Sequence, residues 1–160
     1  MTERSQEAEE KRDETQPERL DRNTVELLNE LRVAGAGVQV MFAFLLVVPF
    51  NTGWKKVDGF ERTIYFATLL IVALGAFLLL APPIHHRLLF RHGEKPFLIR
   101  VGNTMAIAGM SCVGLGFIGI LVLISDVAVG GAAPAIVGIL SAAVLCGLWF
   151  AIPLLRRDEE

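Results

Sequence analysis

The chain has 160 residues, 53% of them hydrophobic and 20% charged, with a formal net charge of −2. The length suits one domain, but the apolar share is high for a soluble one, and without a basic, aromatic-interleaved stretch no nucleic-acid partner is expected. Charge is also segregated: of 15 Lys and Arg and 17 Asp and Glu, six and ten lie in residues 1–32, whereas Thr63–Pro83 holds none.

The opening, MTERSQEAEEKRDETQPERL, is acidic and polar, which is unlike a secretory signal. Residues 1–16 have almost no apolar side chains and are expected to be a disordered polar tail. Over residues 17–32 the leucines Leu20, Leu27, Leu28 and Leu31 recur at helical spacing, and Asn23 with Glu26 three positions later has the form of a helix cap. This stretch is expected to form a cytoplasmic amphipathic helix, lying on the membrane, meeting a partner, or simply continuing into the next element.

Residues 33–155 contain four charge-free apolar runs, at 33–50, 63–83, 102–124 and 132–155. A bilayer core about 30 Å thick needs about 20 apolar residues per helix. A soluble fold would have to bury about eighty all-round apolar residues, and the remaining chain cannot supply an amphipathic shell for them. The expected fold is therefore all-α, an up-down bundle of four transmembrane helices joined by short links, followed by a charged tail at residues 156–160. Lys and Arg number six before the first run, four in the Ile84–Val101 loop and two at the carboxyl end, against three in the first loop and none in the last. The excess places both termini and the central loop in the cytoplasm.

Between such helices dispersion and close backbone approach replace the hydrophobic effect, so small residues mark contacts. Ala108, Cys112 and Gly116 form one such row, Gly138, Ala142 and Cys146 another, Ala143, Gly147 and Ala151 a third, with Ala67 and Gly75 on the second run. Pro49, Pro82 and Pro83 fall at the ends of the apolar spans, where a missing backbone donor costs little, and Pro153 is expected to bend the fourth helix. Cys112 and Cys146 lie in apolar runs away from any CxxC or Cys/His spacing, which leaves them as packing residues.

The stretch IHHRLLFRHGEK puts three histidines between two runs. In a helix His85 and His92 are about 10 Å apart along the axis, too far to share an ion, so no metal or cofactor is expected. His86, Arg87, Arg91 and Lys95 instead form a basic edge suited to anionic lipid, beyond their role in setting topology. Gln39 is the most polar side chain in any run and is a candidate for a cross-helix hydrogen bond or, alternatively, a polar point in a transport path. Asp58 and Glu61 lie in a short exposed loop that offers no desolvated pocket for acid-base work. No Asp, Glu, Lys, Arg or His lies within the four runs, which argues against a secondary transporter acting alone.

The stretches ELRVAGAGVQVMFAFLLVVPF, from Glu30 to Phe50, and HRLLFRHG, from His86 to Gly93, resemble a bacterial family of small four-span membrane proteins known only as a domain of unknown function. The likeness covers roughly residues 18–157 and rests on Glu30-Leu31-Arg32, Gly37-Val38-Gln39 and His86-Arg87. It implies a topology and brings no catalytic residues; some relatives carry a sodium/proton antiporter label. The expected function is that of a non-enzymatic membrane protein acting by association with the bilayer, with itself as a homo-oligomer, or with a membrane protein partner. The alternative is a transport component, either an antiporter-like subunit or a homo-oligomeric pore.

Overall fold

A computed structural model describes residues 15–89, 95–152 and 155. The polar tail up to residue 14, the loop at 90–94, residues 153–154 with the expected bend at Pro153, and the carboxyl-terminal tail at 156–160 lie outside the described residues. Four helices follow in order: α1 (Gln16–Val47), α2 (Gly59–Leu89), α3 (Lys95–Ala128) and α4 (Ala133–Cys146, extended by a π-helical turn over Gly147–Ala151). No strand occurs among the described residues. Four stretches, Glu18–Phe50, Gly59–Leu88, Phe97–Ala128 and Ala133–Ala151, are long and apolar enough to cross a membrane, with mean hydropathy between 2.1 and 2.6.

Residues 17–32 and the first apolar run form one uninterrupted helix, α1, of 32 residues. At 1.5 Å per residue it is about 48 Å long, so it overhangs a 30 Å hydrocarbon layer by about 18 Å. The overhanging leucines turn inward: Leu31 is buried, and Leu27 packs on the core and against Gly102 of α3. The expected cap at Asn23 and Glu26 is not where the helix starts. Thr15 takes that position, and the Glu18 carboxylate accepts hydrogen bonds from the Thr15 amide at 2.8 Å and its hydroxyl at 2.6 Å. Asn23 lies mid-helix because Pro17, preset to helical φ, lets the helix begin earlier.

The α1–α2 link is held by local chemistry. Pro49 has no N–H for the carbonyl four residues back, Leu45, and the Tyr65 hydroxyl donates to that oxygen at 2.9 Å. The Tyr65 ring meets Trp54 edge-on with centroids 4.8 Å apart, and the Arg62 guanidinium lies 5.8 Å from the centre of the Trp54 ring. Asp58 and Glu61 form a reciprocal capping box for α2, each side chain accepting from the other's backbone N–H, at 2.7 and 2.8 Å. Pro82 and Pro83 do not end α2, which continues to Leu89. They deprive the Leu78 and Leu79 carbonyls of their α-helical donors.

The buried side chains repeat at near-heptad spacing: Leu31, Val38, Met41 and Leu45 on α1, and Tyr65, Val72 and Leu79 on α2. A period of 3.5 keeps one seam facing a neighbour. On α3 the facing positions are glycines, also seven apart: a Cβ at Gly102 would lie 2.9 Å from Leu27 and 3.5 Å from Pro82, one at Gly109 2.8 Å from Leu79, and one at Gly116 would meet Val72. Gly75 and Gly109 nearly touch through their backbones, since a Cβ on either would lie 3.1 or 3.2 Å from the other's carbonyl oxygen. Residue numbers run in opposite directions along these pairs, so α2 and α3 are antiparallel, as are α1 and α2 through Leu45 and Tyr65. Among the described residues α1, α2 and α3 each contact the other two, whereas α4 touches α3 alone. A fourth helix flanks a three-helix core and leaves the bundle unclosed.

Gly114 of α3 meets Leu145 and Trp149, and Gly138 of α4 meets Val122. Of the small-residue rows, Gly75, Cys112 and Gly116 lie in helix contacts, but Ala67, Ala143, Cys146 and Ala151 are exposed and nothing lies within 4 Å of a Cβ at Gly147. Gly130 and Gly131, at φ 71° and 62°, make the α3–α4 turn in a backbone region costly for other residues. Gly130 also donates to the Ser125 carbonyl at 3.1 Å.

Candidate functional site

Along the first four turns shared by α1 and α2 the contact loosens. Gly35 and Ala36 present almost no side chain, and a Cβ on Gly35 or Gly37 would meet nothing within 4 Å. The result is a groove of about 730 Å³, within the size range of small-molecule sites. From α1 it is lined by Leu28, Leu31, Arg32, Gly35, Ala36 and Gln39, and from α2 by Leu79, Leu80, Pro83, His86 and Arg87.

Two candidates named separately from the sequence therefore share one groove, Gln39 on one wall and His86 with Arg87 on the other. Arg32 joins them, a residue the sequence reading counted among the topology charges and in the Glu30-Leu31-Arg32 likeness but not as a site residue. The two helices bring residues 32 and 86 to the walls of one groove, a pairing that the length of the Asn51–Asp58 link does not by itself give. Arg91 lies outside the described residues, and so does the side chain of Lys95 at the start of α3.

The groove is polar at one end. Arg32 and Arg87 are exposed and His86 half-buried. Gln39, also exposed, is two turns beyond Arg32, about 10 Å along the axis, and lines the groove together with Ala36, Leu79 and Leu80. No Asp or Glu is among the lining residues, so the groove carries two guanidinium groups, one from each helix, and no lining carboxylate. Such a site can hold an anion through paired N–H donors while the adjoining walls take an apolar group. No Ser, Cys or Thr lines it either.

Elsewhere the polar side chains serve the backbone. Ser111 donates to the Ile107 carbonyl at 2.8 Å and Thr104 to the Arg100 carbonyl at 3.0 Å, each within its own helix. Cys112 and Cys146 are both free thiols. Among the described residues no three His, Cys, Asp or Glu side chains come together as a metal set.

Comparison with known proteins adds a family and nothing more specific. No curated protein and no solved structure matches the chain. The family model that does match covers residues 13–153, nearly the whole folded part and close to the 18–157 expected, and on that match the chain belongs to DUF6328, a family of unknown function.

Proposed function

We propose that this chain is a multi-pass protein of the bacterial inner membrane, with both termini cytoplasmic, that acts by association and not by catalysis. The carrying observation is how little of each apolar helix the fold itself covers. In the most apolar window of each candidate span, 28% of α2 is buried inside the chain, 22% of α1, 17% of α3 and none of α4. Phe44, Phe50 and Phe77 are 72%, 87% and 71% exposed. Side chains of that size left uncovered need hydrocarbon around them or a partner's surface. The Lys and Arg excess at the ends of α1 and α2 that carry Arg32 and Arg87 supports the orientation. The capping roles of Asp58 and Glu61 support the non-enzymatic reading, since both carboxylates are already committed to the start of α2.

Alkaline carbonate washing tests the first part: the chain stays in the membrane pellet, and release into the aqueous fraction overturns the reading. Orientation is tested in a background with Cys112 and Cys146 replaced by Ala. A periplasmic thiol reagent labels T52C and not S5C; the reverse pattern overturns cytoplasmic termini. The second reading, a transport component, draws on the position of Gln39 in the groove. Flux in proteoliposomes that Q39L abolishes, with unfolding behaviour unchanged, establishes it in place of the first.

A further inference from the structure

We infer that the groove between α1 and α2 binds one anionic phospholipid from the leaflet nearest the chain's termini, with its phosphate between Arg32 and Arg87 and the start of an acyl chain along Gly35, Ala36 and Leu80. The inference rests on the membrane reading above and adds a ligand and a site to it.

The charges come first. Arg32 immediately precedes the charge-free run of α1, and Arg87 follows that of α2 by a single turn, so both stand where a span meets the headgroups. They approach from two helices into one groove whose lining has no carboxylate. Two cations at the margin of a low-dielectric layer repel unless an anion lies between them, and a phosphate accepts N–H donors from guanidinium groups on either side.

Shape selects the source of that phosphate. The groove runs from the arginines toward Gln39 past Ala36 and Leu80, and its volume of about 730 Å³ suits a headgroup with the first part of a chain. A free phosphate would leave the apolar part empty. The amide of Gln39, about 10 Å deeper, is placed to donate to a lipid ester carbonyl. The basic group at the other end of the hairpin is differently employed: Arg62 lies over Trp54 and donates to the Val57 carbonyl at 3.2 Å, and Lys55 and Lys56 are outside the groove.

The test uses the full chain purified from carbonate-washed membranes in mild detergent. Native mass spectrometry counts retained phosphatidylglycerol and phosphatidylcholine of matched acyl chains. One phosphatidylglycerol per chain is retained in preference to phosphatidylcholine, and excess inorganic phosphate does not displace it. R32Q and R87Q each weaken retention about ten-fold, the size of one lost charge-assisted hydrogen bond. G35L fills the groove without changing charge, at a position where an added Cβ meets nothing, and retention is lost with the fold intact. The double variant K55Q/K56Q retains lipid like the parent.

Equal retention of the two lipids, indifference to R32Q and R87Q, retention by G35L, an equal loss in K55Q/K56Q, or displacement by inorganic phosphate each overturns the proposal. A chain that the carbonate wash releases overturns the membrane reading together with it. A chain that stays in the pellet but ignores lipid charge overturns the lipid site alone.

Discussion

The α2–α3 pair and the α3–α4 pair are both antiparallel contacts between apolar helices, but they are built to different tolerances. In the first, backbone approaches backbone at Gly75 and Gly109, and Val72 is wholly buried. In the second, the contact atoms are mostly the outer ends of the Leu145 and Trp149 side chains against Gly114, and α4 has no buried residue. Where apolar side chains gain little by leaving lipid for each other, the distance between backbones sets how much dispersion a contact collects. The first pair is a structural core, and the second is a contact made mainly through side-chain ends.

That difference is broken most directly at Gly109. G109V must push against the Gly75 carbonyl and the Leu79 side chain, neither of which can move without separating the helices. The expected cost is about 3 kcal/mol, the upper end for overpacking, read as a shift in reversible unfolding in mixed micelles. G114V meets flexible Leu145 and Trp149 atoms instead, and α4 can adjust, so its expected cost is about 1 kcal/mol. Equal losses in the two variants would show that α4 is held as firmly as the core.

How much of this was readable beforehand follows from the same physics. The four spans were legible because excluding charge from hydrocarbon is a constraint on composition, visible without knowing any contact. The glycine seam was not: a search at four-residue spacing found Gly116 and Cys112, but missed Gly102 and Gly109, since the contact repeats every seven residues around a three-helix core. Helix continuity was not legible at one point: Pro82 and Pro83 close the charge-free run, and α2 goes on through them to Leu89, because a proline pair removes donors from two carbonyls without forbidding helical φ at either position. The groove was legible in parts, as Gln39 and His86 with Arg87, and what joined them was a hairpin register that composition does not encode.

The link between α1 and α2 offers a finer test of what secures the core. Y65F leaves the Trp54 contact in place but removes the hydroxyl that donates to the Leu45 carbonyl, which Pro49 has deprived of its helical partner. The expected loss is about 1 kcal/mol, smaller than G109V and comparable to G114V. A loss near zero would mean that the Val48 amide, which also donates to Leu45, satisfies that oxygen alone.

The smallest effect is at the far end of α1, where a capping box holds the first turn. The Glu18 carboxylate lies below its ordinary pKa of 4.5, first because the Thr15 hydroxyl donates to it and then because the Thr15 amide does. A folded-state value below the unfolded one means that the charged form is the stabilised form. The contribution is therefore fully present above about pH 4.5 and disappears as the pH falls through the lowered value. Because the group is fully exposed, the loss is confined to fraying of this turn, and amide exchange at Arg19, whose N–H donates to the Thr15 carbonyl at 3.1 Å, reports it. Exchange at Arg19, corrected for its intrinsic pH dependence, rises on acidification in the parent and is already fast and pH-independent in E18A, while amides near the Gly75–Gly109 contact stay protected in both. If acid instead exposed the core amides together with Arg19, the overhanging turns of α1 would unfold cooperatively with the three-helix core and could not be treated as a locally capped extension of it.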